Sequence, residues 1–170
     1  MKSSITYPAE DVVLGILEIE NGREAEKQGE RELLKQMIGY DVALNHNEDG
    51  KPLIEEYNIS ISHTKGFVVI LLSKGLEVGI DIEYHSDRIQ KIAQRFLRPD
   101  ETYTTTSDLL IAWCAKEAAY KLFSEEHLTY QEMKIDISEN QLINLKTTVT
   151  INFIPLIHSE YVIVMCWANK

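Results

Sequence analysis

The sequence predicts an α+β fold made of two similar halves. Segments with helical periodicity alternate with short apolar strands, closely spaced turn residues separate those strands, and each half runs from a helix into strands. Short turns favour antiparallel neighbours, so mostly antiparallel sheets packed with helices are expected. No linker separates the halves, so residues 1–170 are predicted to form one compact unit with halves of about 1–76 and 77–170.

The first half contains one strongly periodic helix among predicted strands. Leu33, Leu34, Met37 and Ile38 form an apolar stripe, and Gly39 suits the end of a helix. The predicted elements are, in order, a strand at 11–20, a helix at about 23–39, a loop at 45–52, and strands at 57–62, 67–73 and 77–84.

The second half begins with two helices and returns to strands. Pro99 limits the first helix, and Ser107 or Asp108 is the expected N-cap of the second. The predicted elements are helices at 88–97 and about 108–123, followed by strands near 131–137, 147–154 and 161–168.

Composition and charge exclude several classes of protein. A hydrophobic fraction of 44% and a charged fraction of 26% are typical of a globular domain. The net charge of −10 argues against a nucleic-acid binder, which must neutralise phosphates. The sequence has no apolar run long enough to cross a bilayer and no signal-peptide core, so we expect a cytoplasmic protein without membrane contact. Cys114 and Cys166 lack zinc-site spacing and are expected to be buried free thiols.

Two acids stand on one side of a predicted strand, in the segment GLEVGIDIEY at 75–84. Side chains alternate along a strand, so Asp81 and Glu83 share one face while Ile80 and Ile82 share the other. Either this face is exposed to solvent at the edge of a sheet, or the acids bind a hard divalent cation such as Mg²⁺. Gly79, just before them, leaves room for the close approach of a ligand or of backbone.

The predicted helix that ends at Phe123 carries further charged residues. Trp113, Glu117 and Lys121 recur every four residues and therefore share one face, with Lys116 about a quarter-turn away. A surface Glu–Lys pair worth about 0.3–0.5 kcal/mol is one interpretation. The helix is otherwise apolar nearly all round, however, which favours burial beside a cation or ligand. Glu117 would then complete a magnesium site, and the two lysines would suit a pyrophosphate.

Taken in order, these motifs resemble those of the 4′-phosphopantetheinyl transferase superfamily, in the surfactin-synthetase-activating type that serves peptide and polyketide synthetases. The helix segment resembles the family pattern WxxKEAxxK in full, and the resemblance covers residues 50–123 well. It implies two similar halves related by a pseudo-twofold axis, with coenzyme A in the cleft between them. The matching segments are Gly50-Lys51-Pro52, Ile59 to Thr64, Gly79 to Glu83, Arg95-Phe96-Leu97 through Glu101, and Trp113 to Lys121.

The resemblance also implies an activity. A transferase of this family moves the 4′-phosphopantetheine arm of coenzyme A to a serine of an apo acyl or peptidyl carrier protein and releases 3′,5′-ADP. Asp81, Glu83 and Glu117 would hold Mg²⁺, or alternatively Mn²⁺, against the pyrophosphate. Lys121 and Lys116 would contact the same phosphates.

Several roles follow from the resemblance with alternatives open. Glu117 is the first choice for the general base. Glu101 is an alternative base or outer metal ligand, and Lys121 could act as a base only with a strongly lowered pKa. The residues implied in coenzyme A binding are Arg31, Lys51, Ser62 and His63, together with Asp81.

Docking of a carrier protein requires a local basic or apolar patch, because this chain is acidic overall and carrier proteins usually are acidic too. Four basic residues on and after one helix either form that patch or are simply a solvated helix face: Arg88, Lys91, Arg95 and Arg98. Two halves in one chain build a cleft alone, so a monomer is expected. The rival functions are a non-catalytic coenzyme A-binding or carrier-binding homologue and, less favoured, a Mg²⁺-dependent phosphohydrolase.

Overall fold

Two antiparallel sheets form the centre of the protein, in a computed structural model that describes residues 2–170. The strands are β1 Ser3–Ala9, β2 Val12–Glu18, β3 Asn45–His46, β4 Pro52–Leu53, β5 Asn58–Thr64, β6 Phe67–Ser73, β7 Glu77–Tyr84, β8 Met133–Asp136, β9 Gln141–Asn144, β10 Val149–Ile157 and β11 Tyr161–Ala168. The helices are α1 Arg23–Ile38, α2 Arg88–Phe96 and α3 Thr106–Leu122. This α+β architecture confirms the predicted fold class.

Each sheet is built from one stretch of the chain. The first sheet has the order β1-β2-β6-β5, and the second has the order β7-β11-β10-β9-β8. Strands β3 and β4 form a separate small hairpin inside the segment predicted as a loop. All strand pairs are antiparallel, as the short turns predicted.

Besides the small hairpin, two strands and one helix cap differ from the prediction. Strand β1 is an edge strand whose first five residues are exposed, so it lacks the apolar alternation that marks a strand. Strand β9 has only four residues. The N-cap of α3 is Thr105, whose hydroxyl accepts a hydrogen bond of 3.1 Å from the backbone N–H of Asp108, and not Ser107 or Asp108.

The apolar residues form three layers of core. One cluster lies between α1 and the first sheet, a second lies between the two sheets, and a third lies between the second sheet and helices α2 and α3. Strand β6 is covered on both faces, which explains its unbroken apolar sequence FVVILLS. Cys114 and Cys166 are buried free thiols, as predicted. Within residues 2–170, no helix combines the length and apolarity needed to cross a membrane.

The edge strands of the two sheets, β5 and β7, meet along a line of serine and threonine hydroxyls. The backbone N–H groups of Ile80, Ile82 and Tyr84 donate to hydroxyl oxygens at 3.1, 3.3 and 3.2 Å. The acceptors are Ser60, Ser62 and Thr64, which follow one another at every second position of β5. Side chains thus supply the acceptors that a neighbouring strand's carbonyls supply in a continuous sheet. We call this junction the hydroxyl seam.

Helix α3 lies directly on β7 at a single glycine. A Cβ atom added at Gly79 would come within 2.1 Å of the carbonyl oxygen of Ala118, which is too close for any side chain. The space that the sequence suggested at this position is therefore filled by helix backbone. This contact fixes how deeply α3 sits over the acidic face of β7.

Replacing Gly79 by alanine should push α3 away from the sheet. We expect Gly79→Ala to lower the free energy of unfolding by about 2–3 kcal/mol, because backbone cannot yield as a flexible side chain can. Urea unfolding followed by circular dichroism measures the loss. Gly75→Ala is the matched control, since its Cβ would meet only the Asp11 carboxylate at 3.1 Å. Equal losses in the two variants would contradict the close packing.

Candidate active site

Asp81 is the buried centre of the candidate site. It lies on β7 with 6% of its surface exposed. Its Oδ1 accepts hydrogen bonds from the Ser62 hydroxyl at 3.0 Å and from the Lys121 ammonium at 3.3 Å. Its Oδ2 is also buried, and no group in residues 2–170 donates a hydrogen bond to it. A buried carboxylate oxygen without a partner is costly and indicates a place for a cation or donor from outside the chain.

Glu83 is held by an indole group from α3. Trp113 Nε1 donates a hydrogen bond of 3.1 Å to Glu83 Oε1. The indole ring is itself held by two aromatic neighbours, with ring centroids 5.1 Å from Phe96 and 5.6 Å from Tyr130. Asp81 and Glu83 thus share one face of β7, as strand alternation predicted, and in the structure both receive hydrogen bonds from side chains of α3.

Glu117 reaches the same region from α3, and a residue that the sequence analysis missed holds it. The hydroxyl of Tyr130 donates a hydrogen bond of 2.7 Å to Glu117 Oε1. Tyr130 lies 13 positions beyond Glu117, in the 3₁₀ turn Tyr130–Glu132 that precedes β8. No periodic pattern in the sequence links Tyr130 to the helix motif, so its contact with Glu117 is evident only from the structure.

The three carboxylates share one arrangement. In each, one oxygen accepts a hydrogen bond from a donor of the protein, while the other has no hydrogen-bond partner in the described chain. Anchored carboxylates with a free oxygen suit monodentate binding of a hard cation such as Mg²⁺. Over residues 2–170, however, no three Asp, Glu, His or Cys side chains yet lie close enough to hold an ion together. A shared ion therefore requires at least one of the three side chains to move.

Burial and mutual repulsion disfavour the charged form of all three acids. Burial raises the pKa of Asp81, although Lys121 and Ser62 oppose the shift. Burial, helped by the charges of Asp81 and Glu117, raises the pKa of Glu83 to about 7. Burial also raises the pKa of Glu117, against the hydrogen bond from Tyr130. A cation would reverse these costs, so the donor set fits a divalent metal.

Lys121 connects the acids to the hydroxyl seam. Besides Asp81, its ammonium contacts the carbonyl oxygens of Ile61 at 3.2 Å and Ile80 at 2.8 Å, one on each side of the seam. The side chain remains 31% exposed. It thus lies where a phosphate next to Asp81 would meet it.

Lys116 and Glu101 lie elsewhere, and the structure does not bring them to this site. Lys116 is fully buried and donates to Glu101 Oε1 at 2.6 Å, to Phe96 O at 2.7 Å and to Tyr130 O at 3.1 Å. Glu101 also accepts from the backbone N–H groups of Arg98 and Ile135, both at 2.7 Å. With every ammonium proton used and no exposed surface, Lys116 cannot reach a phosphate. Glu101, equally enclosed, is not placed to act as a base or an outer metal ligand.

Neighbouring residues of β5 serve opposite faces. Ser62 points to the hydroxyl seam, where it positions Asp81 rather than lining a coenzyme cleft. His63 points to α1, with its Nδ1 3.4 Å from Glu26 Oε1. Lys51 pairs with Glu77 at 3.3 Å, on the side of the molecule where the C-terminal end of α3 lies. Ser62, His63 and Lys51, all predicted for coenzyme A, therefore lie in three different places.

A cleft of about 460 Å³ between α1 and the first sheet collects basic side chains. Arg31 and His63, both predicted for coenzyme A, lie in it together. Burial raises the pKa of Glu30, which also lines this cleft. The full lining is Arg23, Glu26, Lys27, Glu30, Arg31, Leu44, His46 and His63. We call this the basic cleft.

A second cleft, of about 570 Å³, opens beside Glu83 and Trp113. It is lined by Arg88, Lys91 and Arg95 of α2 together with Ile89, Ile92 and Leu110. Arg98 is not among its lining residues; its guanidinium pairs instead with Asp100 at 2.9 Å and contacts the carbonyl of Gln131. Three of the four predicted docking residues are thus brought together, on a surface that is both cationic and apolar. We call this the α2 cleft.

A family model described as the 4′-phosphopantetheinyl transferase superfamily matches residues 77–166, slightly more than half of the chain. The match runs from β7 into β11 and contains all three carboxylates and Lys121. No curated protein matches the chain. The basic cleft belongs to α1 and the first sheet, outside the matched residues, so its interpretation depends on its own geometry.

The raised pKa of Glu83 gives a measurable pH dependence of stability. In metal-free protein the folded pKa of Glu83 is about 7, above the ordinary glutamate value of 4.5, so between pH 4.5 and 7 the folded state binds more protons than the unfolded state. Stability from this group is therefore present at low pH and lost as pH rises to 7 and above. We expect Glu83→Gln to be about 1–2 kcal/mol more stable than wild type at pH 8, with little difference at pH 4.5.

Urea unfolding in EDTA at the two pH values measures this difference. Glu125→Gln is the control, because Glu125 is exposed. A Glu83 variant that is less stable than wild type at pH 8 would contradict the buried, repelled carboxylate.

Proposed function

Since the chain belongs to the 4′-phosphopantetheinyl transferase superfamily, we propose that it transfers the 4′-phosphopantetheine arm of coenzyme A to a serine of an apo carrier protein. The family's general reaction is phosphopantetheine transfer. The donor, the acceptor and the dependence on Mg²⁺ are the proposed specifics. The observation that carries the proposal is the set of three carboxylates, each with one anchored and one free oxygen, beside the ammonium of Lys121.

Asp81, Glu83 and Glu117 would hold the metal. Asp81 is the natural first ligand, because its buried Oδ2 lacks any partner within residues 2–170. Bound Mg²⁺ or Mn²⁺ would supply positive charge to the pyrophosphate of coenzyme A. The ligand types do not select between the two ions.

The protein's own groups supply the remaining chemistry. The serine oxygen attacks the phosphorus that carries the pantetheine, that phosphorus loses its bond to the bridging oxygen, and 3′,5′-ADP leaves. Lys121, beside Asp81, adds a fixed cation next to the phosphates. Glu117 is the proposed acceptor of the serine proton, because its carboxylate lies in the same group as Asp81 and Lys121.

The basic cleft is the proposed site for the 3′-phosphate of coenzyme A. Arg31, Lys27 and Arg23 bring cationic side chains from α1, and His46 and His63 add imidazoles from the first sheet and its neighbouring hairpin. A phosphate in this cleft would compete with Glu26 for His63. The cleft and Asp81 lie on opposite faces of β5, since His63 follows Ser62, which binds Asp81.

The α2 cleft is the proposed docking surface for the carrier protein. Its arginines and lysine suit an acidic partner, and the partly exposed Ile92 and Trp113 provide apolar contact. A local patch of this kind is needed because the chain carries a net charge of −10. Glu83 and Trp113 form part of the wall, so a docked carrier would lie next to the carboxylates.

The carrier is proposed only as an acyl or peptidyl carrier protein, because the lining of the α2 cleft does not distinguish the two. The surfactin-synthetase-activating subtype and the cytoplasmic location remain predictions.

One chain supplies both clefts and the carboxylates, which supports action as a monomer. Retention of all three acids with Lys121 favours an enzyme over a non-catalytic binding homologue. The two clefts favour a transferase with two substrates over a phosphohydrolase.

Mass spectrometry of carrier proteins tests the activity. Incubation with coenzyme A, Mg²⁺ and a panel of apo acyl and peptidyl carriers should add the mass of the phosphopantetheine arm to at least one carrier. We expect Glu117→Gln to slow transfer at least about a hundredfold, because it removes both a metal ligand and the proposed base. Glu125→Gln, an exposed change of the same chemistry, should leave the rate unchanged.

The outcomes separate the rival functions. No mass gain on any carrier, with coenzyme A still bound, would indicate a binding homologue. Phosphate release from coenzyme A without a carrier would indicate a phosphohydrolase.

A comparison of two substrates tests the basic cleft. We expect Arg31→Ala to raise the KM for coenzyme A about tenfold, because a charge-assisted phosphate contact is worth roughly 1.5 kcal/mol or more. The KM for dephospho-coenzyme A, which lacks the 3′-phosphate, should not change. Lys35→Ala is the control, since Lys35 lies one turn further along α1 and pairs with Asp41. An equal rise in KM for both substrates would refute the assignment to the 3′-phosphate.

A further inference from the structure

Tyr130 contacts the candidate site although it lies outside the sequence motifs that carry the family resemblance. Its ring lies 5.6 Å from the Trp113 ring between centroids, and its hydroxyl binds Glu117 at 2.7 Å. It also accepts, through its backbone carbonyl, a hydrogen bond of 3.1 Å from the buried Lys116. Tyr130 is therefore fixed at three points: ring, hydroxyl and backbone.

The buried lysine explains why this tyrosine stays in place. Lys116 joins the end of α2 at Phe96 O to the start of the 3₁₀ turn at Tyr130 O. Thr129 caps the same turn in a capping box with Glu132. The turn that carries Tyr130 is thus held to α3 one residue before Glu117, so the hydroxyl and the carboxylate keep a defined relation.

We propose that Tyr130 is the positioning residue for Glu117: its hydroxyl holds Oε1 so that Oε2 is the oxygen that binds the divalent metal. The proposal deepens the proposed function, on which it rests for the role of the metal. Within residues 2–170, Oε2 has no competing hydrogen-bond donor, and the Tyr130 hydroxyl is the one donor to Oε1. Trp113 makes a similar contact with Glu83, because its indole N–H donates a hydrogen bond to Oε1 alone.

Physical reasoning gives the direction of the effect. A glutamate side chain on a helix has several rotamers, and the Tyr130 hydroxyl favours those in which Glu117 Oε1 keeps its hydrogen bond. Hydrogen-bond partners of metal ligands commonly change metal affinity by about 10–100-fold when removed. Loss of the hydroxyl should therefore weaken metal binding even though the hydroxyl does not touch the metal.

The test uses Mn²⁺ alone as the probe, with free ion counted by electron paramagnetic resonance during titration of the full chain. We expect Tyr130→Phe to raise the Kd for Mn²⁺ at least about tenfold relative to wild type. Tyr103→Phe is the matched control. Tyr103 is also half-buried, and its hydroxyl donates to Ile135 O at 3.1 Å and accepts from Ile137 N at 3.0 Å, away from any carboxylate.

A double-mutant cycle shows whether Tyr130 acts through Glu117. In a Glu117→Gln background, Tyr130→Phe should change the Kd no further, whereas in a Glu83→Gln background its effect should persist. Thermal unfolding of each variant separates loss of structure from loss of affinity. A similar shift in unfolding temperature for Tyr130→Phe and Tyr103→Phe, with a Kd change only in the former, supports positioning.

The remaining outcomes overturn the inference. An unchanged or lower Kd in Tyr130→Phe, or an equal rise in Tyr103→Phe, would show that the hydroxyl does not prepare Glu117. Wild-type protein that binds no Mn²⁺ would overturn it as well. Wild-type protein that binds Mn²⁺ but modifies no carrier would refute the proposed function and leave the Tyr130 comparison valid.

Discussion

The hydroxyl seam is the constraint on which the candidate site depends. Serine and threonine hydroxyls of β5 take the place of carbonyl acceptors for β7, so the two sheets meet without merging into one. Asp81 sits at this junction, where Ser62 and Lys121 hold one oxygen and the other is left without a donor in the described residues. Glu83 lies on the same strand, whereas Glu117 and Lys121 come from α3, and Gly79 sets how closely that helix lies on β7.

The three charged carboxylates lower the stability of the folded protein when no metal is bound. Burial raises the pKa of each of the three carboxylates, and Asp81 and Glu117 raise that of Glu83 further. Each charge is balanced only partly by its donor, because the hydrogen bonds reach one oxygen of each group. A buried pair such as Lys116 and Glu101 differs, since every polar atom there has a partner. The contrast separates a structural ion pair from a site prepared for a ligand.

Sequence periodicity predicted the helices, most strands and the acidic face, because these depend on nearest neighbours in the chain. Strand alternation placed Asp81 beside Glu83, and helical spacing placed Glu117 near Lys121. It could not assign Lys116, whose partner Glu101 lies 15 residues away across a turn. Nor could it find Tyr130, which no repeat connects to α3. Alternation alone would have separated Ser62 from His63, since consecutive strand residues face opposite sides.

The two clefts lie next to the two strands that form the hydroxyl seam. The basic cleft reaches β5 at His63, one residue from Ser62, while the α2 cleft ends at Glu83, two residues from Asp81. The basic cleft thus belongs to the first half of the chain and the α2 cleft to the second, and of the three carboxylates only Glu83 lines either cleft. An acidic chain gains selectivity from this arrangement, because its overall field repels anions except where cations are concentrated.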